Sequence, residues 1–182
     1  KTISINANED AYLPRKLAEP PHGPLYVDNV FSRQIVLKFD LSSIPRESTI
    51  NQATLTLNVL GDLSIIKDNG VSQLTNGITI QLNRLAKPFE SPNDLKVDSL
   101  AASVSETITQ STTSIVIPNE SFRDVFRRLI QAWVSERAEN HGFVIRTLTP
   151  GFDISRVAFR SSDQSEFAPK LELDFTTAPS NP

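Results

Sequence analysis

The chain lacks cysteine and methionine altogether, and it has one tryptophan and two histidines. Without cysteine there is no disulfide framework, no zinc–thiolate site and no thiol nucleophile. No His-Glu-x-x-His zinc motif, no Gly-x-Ser-x-Gly elbow and no phosphate-binding loop occurs anywhere in it. Charge of one sign is also missing. A net charge of −3 leaves no electrostatic footprint for nucleic acid and no polybasic membrane patch. No apolar run approaches the ~20 residues of a membrane helix. Aromatic residues are 7% of the chain, too few for a broad, flat surface matched to crystalline polysaccharide.

What is present fits a globular protein. The 182 residues suit one domain, and a chain of this length buries roughly 70% of its unfolded surface. Hydrophobic residues at 38% and charged residues at 21% exclude a disordered composition. The first residue is Lys1, which we read as the start of a mature or excised fragment freed of its initiator and signal peptide. With the avoidance of cysteine, this gives an expected location that is secreted or on the cell surface.

Period-two alternation dominates both halves. Ile3 and Ile5 fall on one face of Lys1 to Asn6, and a short strand follows at Ala11 to Leu13. Pro14, Pro20, Pro21 and Pro24 then break the chain, and Leu25 to Val27 reads as an edge strand. In Gln34 to Asp40, Ile35, Leu37 and Phe39 share a face, and Val36 breaks the pattern. Ala53 to Val59 points Ala53, Leu55, Leu57 and Val59 inward, and Ile78 to Leu85 alternates through Ile78, Ile80 and Leu82. Asp68-Asn69-Gly70 and Asn76-Gly77 mark turns. Ala86 to Gln110 reads as a long connection with one strand, and Ser114 to Ile117 as a strand stopped by Pro118. Three strands close the chain: Phe143 to Leu148, Ser155 to Phe159, and Lys170 to Thr176.

The period changes once. From Ser121 to Ala138, Phe122, Val125, Phe126, Leu129, Ile130, Trp133 and Val134 recur at spacings of three and four, the stripe of an amphipathic helix. Ser121 is placed to cap it, with Asp124 completing a capping box, and Gly142 is expected to stop it in the left-handed conformation. The fold class is therefore all-β: an antiparallel, jelly-roll-like β-sandwich over residues 1–177 with one helix at 121–138. Residues 178–182 read as a tail or linker.

Several segments, in order, resemble the DNRLRE-type domain and its allied jelly-roll carbohydrate-binding modules. They are Asp10-Ala11-Tyr12, Phe39-Asp40-Leu41-Ser42-Ser43-Ile44-Pro45, and Ile50-Asn51-Gln52-Ala53-Thr54-Leu55. The helix carrying Trp133, His141-Gly142-Phe143-Val144-Ile145, Phe159-Arg160-Ser161-Ser162 and Pro169-Lys170-Leu171 complete the set, which covers nearly the whole chain. The resemblance implies a sandwich of secreted or surface proteins, with non-catalytic polysaccharide binding in some members. The chain departs from the pattern twice. Leu82-Asn83-Arg84 stands where the family often has Trp-Asn, and the Pro14 to Pro24 loop replaces its Asn-Tyr-Gly turn.

The candidate ligand-binding residues are Tyr12, Arg15, Lys16, His22, Tyr26 and Arg33, on and around the proline-rich loop. Aromatic rings at a sandwich end can stack on the C–H face of a sugar; ordinary edge packing is the competing reading. Arg15, Lys16, Arg33, Arg156 and Arg160 can pair with uronate or sulfate, or simply face solvent. Trp133, on the helix stripe, belongs to the core. No cofactor is implied beyond a structural Ca²⁺, for which Asp10, Asp28, Asp40, Asp68 and Asp153 are the candidate ligands. Asp68-Asn69-Gly70 resembles the opening of a calcium loop, but Thr79 stands where an EF-hand has its closing Glu. A carboxylate pair for glycoside cleavage and a lyase-like Tyr12, His22, Arg33 set are the remaining catalytic options. The main reading is a non-catalytic module that binds polysaccharide; the alternative is a structural spacer or adhesion domain whose partners are other domains of the same surface protein.

Overall fold

Alternating apolar residues become eleven strands in the computed structural model. It describes residues 1–7, 9–13, 23–66, 77–91, 95–98, 104–118, 122–148, 150–151, 153–163 and 166–177, with backbone alone for 9–13 and 104–105. Strands are numbered in chain order. β1 (Thr2–Asn6), β11 (Lys170–Thr176), β5 (Thr49–Asn58) and β8 (Ser114–Ile117) lie side by side in one antiparallel sheet. β2 (Glu9–Leu13), β4 (Gln34–Lys38), β9 (Phe143–Thr147), β6 (Ile78–Arg84) and β7 (Val104–Ile108) form a second. The orders β1-β11-β5-β8 and β4-β9-β6-β7 interleave early and late strands as a jelly roll does, with β2 added at one edge. The chain is an all-β sandwich, as the alternation predicts.

One core fills the space between the sheets. Leu55, Leu57, Leu171 and Leu173 from the first meet Ile35, Leu37, Ile80 and Ile145 from the second, all buried. Val59, expected inward with them, is only half-buried, and its backbone bridges to Phe159. The exception at Val36 has a physical cause. Val36 packs with Leu85 and Val144 under Phe89, Leu95 and Val97, so the outer face of the second sheet is covered too. A strand buried on both faces loses its alternation.

Leu25 to Val27 does not extend either main sheet. β3 (Leu25–Asp28) pairs with β10 (Arg156–Phe159) in a separate two-stranded ribbon, with Asp28 opposite Arg156 and Leu25 opposite Phe159. Leu25, Val27, Val157 and Phe159 point into the core.

The helix α1 runs from Arg123 to Val134, shorter than the 121–138 expected. Phe126, Ile130, Trp133 and Val134 are buried, and the Phe143 ring lies 5.5 Å from that of Phe126 and 4.8 Å from that of Trp133. Val125 faces solvent, so the buried stripe is narrower than the spacing suggests. Ser121, the expected cap, lies outside the described residues.

Gly142 does not stop the helix. Glu136 takes the left-handed conformation at φ 52°, and its N–H donates to the Trp133 carbonyl while Arg137 N–H donates to that of Ala132. These two bonds are a Schellman cap built on glutamate. Gly142, at φ 91°, serves the sheet instead: a Cβ there would stand 2.4 Å from the Leu37 carbonyl oxygen. The helix covers the edge of β5 that β8 leaves open, since β8 reaches only Leu55 to Asn58.

β1 runs antiparallel beside β11, Thr2 opposite Asp174 and Asn6 opposite Lys170. The Lys1 ammonium donates to the Phe175 carbonyl at 3.0 Å. The expected tail, 178–182, lies outside the described residues, as do Asp68-Asn69-Gly70 and Asn76. Among the described residues no helix is long and apolar enough to cross a membrane.

Candidate functional site

The outer face of the β3–β10 ribbon carries the residues placed opposite to its core-facing set. Asp28 is buried there, and the loop that follows it is built around its carboxylate. One oxygen, Oδ1, accepts the Phe31 N–H at 2.6 Å; the other, Oδ2, lies 3.2 Å from Arg33 Nε. Asp and Asn favour such turns because the short side chain reaches the backbone a few residues on. Ser32, at φ 52°, completes the reversal.

Arg33 is buried too, and its guanidinium carbon stands 5.3 Å from the Phe31 ring centre and 5.4 Å from that of Tyr26. Arg156, opposite Asp28 on β10, places its guanidinium 5.1 Å from the same Tyr26 ring and donates to the Leu63 carbonyl at 3.2 Å. The sequence Phe31, Arg33, Tyr26, Arg156 is thus a ladder of alternating rings and guanidinium groups, held by cation–π attraction.

A second loop locks onto the first. Asn29 is buried and donates from Nδ2 to Asp153 Oδ1 at 2.7 Å, and its N–H donates to the Ser155 carbonyl at 3.0 Å. Gly151 N–H donates to the Asn29 carbonyl, and Ser155 N–H to Asp153 Oδ1. Between these ties three apolar side chains stand in water: Val30 is 51% exposed, Phe31 54% and Ile154 65%.

Of the six expected ligand residues, Tyr26 and Arg33 are brought together. Neither stands as an open platform: Tyr26 has two guanidinium groups against its ring, and Arg33 is buried against Asp28. Tyr12 lies on β2 opposite Ile35 in the register, next to Leu13, which faces Gln34. Arg15, Lys16 and His22 lie outside the described residues. Arg160 stands 4.7 Å from the Phe167 ring. Trp133 belongs to the core, as its place on the helix stripe predicts.

Three of the acidic residues considered for calcium have their contacts described. Asp28 and Asp153 organise the two loops, and Asp40 accepts the Ser42 N–H at 2.9 Å, which holds its carboxyl below the usual carboxylate range. Asp68 and the Asp10 side chain lie outside the described set. Among the described residues no three of His, Cys, Asp and Glu are grouped to hold a metal ion.

Period-two alternation does not mark Phe31. Its signal is Asp28-Asn29-Val30-Phe31-Ser32, where two large apolar residues sit inside a turn-forming sequence that has no core to receive them. No protein-family model matches the chain, and no curated protein matches it in sequence.

Proposed function

We propose that the chain is a non-catalytic, polysaccharide-binding module of a secreted or cell-surface protein, with the Asn29 to Ser32 loop as its contact surface. The observation that carries this reading is Phe31, half in water on a loop fixed by a buried carboxylate and a buried guanidinium. Burying an ion pair costs desolvation, and the exposed part of a phenyl ring gains no burial from the fold. A loop that holds apolar groups in solvent by such means is suited to recognition, because little ordering remains for binding to impose. The outer face of a phenyl ring can meet the C–H face of a pyranose. Val30 and Ile154, on the two tied loops, are exposed apolar residues as well.

The resemblance to DNRLRE-type domains points the same way, and the jelly-roll architecture is compatible with it. A sequence without a zinc-protease motif, a nucleophile elbow or a phosphate-binding loop favours a binding role over turnover. A bare structural spacer would need the sandwich but has no use for a braced, exposed phenylalanine.

The test is retention on immobilised neutral and acidic polysaccharides. The intact chain is expected to be retained by at least one, and Phe31→Ala to lose retention while melting at an unchanged temperature. No retention by any polysaccharide, or equal retention by the variant, overturns the proposal.

A further inference from the structure

A concavity lies on the side of β10 away from β3. The chain leaving β5 passes through Val59, makes a 3-10 turn at Gly61–Leu63 and bridges back to Arg156 at Ile65. Facing it is the β7–β8 turn. Between them is a cleft of about 410 Å³, lined among others by Val59, Gly61, Ser64, Ile65, Thr109 and Thr112. That volume lies at the lower end of the roughly 300–1,000 Å³ of small-molecule sites.

From this cleft we infer a ligand site for a small uncharged polyol of mono- or disaccharide size. Three features carry the inference. The walls are fixed: Val59 N–H donates to the Thr113 carbonyl at 2.8 Å, and Gln110 Nε2 to the Ile66 carbonyl at 3.1 Å. Thr109 N–H donates to Thr112 Oγ1 at 3.0 Å, and Ser64 Oγ accepts the Ala158 N–H at 3.0 Å. The polar lining among the described residues consists of hydroxyl and carboxamide groups: Ser64 Oγ also donates to the Leu60 carbonyl at 2.8 Å, the Thr109 and Thr112 hydroxyls lie 3.1 Å apart, and these hydroxyl oxygens keep acceptor capacity. The apolar lining, with Ile65 47% exposed, offers a surface for C–H groups.

Among the described residues that line the cleft none is ionisable. Against these residues a charged ligand would give up hydration and find no countercharge, whereas hydroxyl groups exchange water for the lining's own polar groups. The site uses neither Phe31 nor Arg33, so it stands apart from the polysaccharide reading.

Gly61 provides a clean test. It lines the cleft, and a Cβ added to it meets nothing within 4 Å. A side chain introduced there starts in open space at the cleft wall, where added bulk can narrow the cleft without disturbing the sandwich. The experiment follows backbone amide shifts of the full chain during millimolar titration with methyl glucoside, cellobiose and lactose, and with methyl glucuronide as the charged counterpart. Saturating shifts confined to Val59–Ile66 and Thr109–Thr112 are expected for at least one neutral sugar. Gly61→Trp is expected to raise its Kd about tenfold or more, with Phe31→Ala leaving it unchanged. Gly61→Leu adds less bulk and keeps the test decisive if the tryptophan disturbs the turn. No saturating shift with any neutral sugar overturns the inference. So does equal binding of the glucuronide, or binding that survives in a folded Gly61 variant.

Discussion

The side chain of Gln131 stands in for a neighbouring strand beside Ile50. Its Oε1 accepts the Ile50 N–H at 2.7 Å, and its Nε2 donates to the Ser48 carbonyl at 3.0 Å. Arg127 adds a bond from Nη1 to the Ile50 carbonyl at 3.2 Å. The helix thereby satisfies the stretch of β5 that β8 does not reach, and docks in one register.

Gln131→Leu removes both carboxamide bonds and leaves the Ile50 N–H without its partner. An unsatisfied buried group costs about 1–3 kcal/mol. Chemical denaturation is expected to show a loss in that range, with amide exchange at Ile50 accelerated ahead of its neighbours. Unchanged exchange at Ile50 would reject the clamp.

Asp28 and Arg33 are expected to couple. Removing either partner of a buried pair costs about 3–5 kcal/mol, because the other charge is left alone. Asp28→Ala and Arg33→Ala should each destabilise strongly, and the double variant by clearly less than their sum. Additive losses in the mutant cycle would mean that the two act separately.

Glu136 and Gly142 predict opposite outcomes for glycine chemistry. The left-handed conformation costs a non-glycine residue about 1–2 kcal/mol, so Glu136→Gly relieves strain. It also removes an exposed ion pair with Arg46, typically worth about 0–1 kcal/mol. The strain term is larger, and a modest rise in melting temperature is expected. A fall would show that the ion pair outweighs the backbone.

Gly142→Ala drives a Cβ into the Leu37 carbonyl at positive φ. Backbone on both sides leaves no soft group to yield, so a loss of at least about 3 kcal/mol is expected. The control is Gly61→Ala, which meets open space and should be silent in the same melting assay.

Much of this architecture was legible from period alone, because most strands bury one face. β11 is the clearest case: Leu171, Leu173 and Phe175 are buried between more exposed Lys170, Glu172 and Asp174. Legibility failed where a second layer intervened. Val36 is buried by a segment some fifty residues away in the chain, at Leu85, Phe89 and Leu95, and no local pattern encodes that. The helix end was misplaced because its cap uses a glutamate in a conformation usually given to glycine, and the nearest glycine had a steric duty elsewhere. At the site, Tyr26 and Arg33 were identifiable by type and position. Their burial was not, since it depends on Asp28 and Arg156 arriving from two strands paired only in the folded state.

The adjacency of β1 and β11 has a mechanical consequence. Tension applied between Lys1 and Phe175 acts across their hydrogen-bonded ladder, at the end where it starts. Bonds loaded in that direction break singly, as a zipper opens, and never share the force as they would in shear. Pulled by these two points, the fold would peel at low force, one ladder bond at a time.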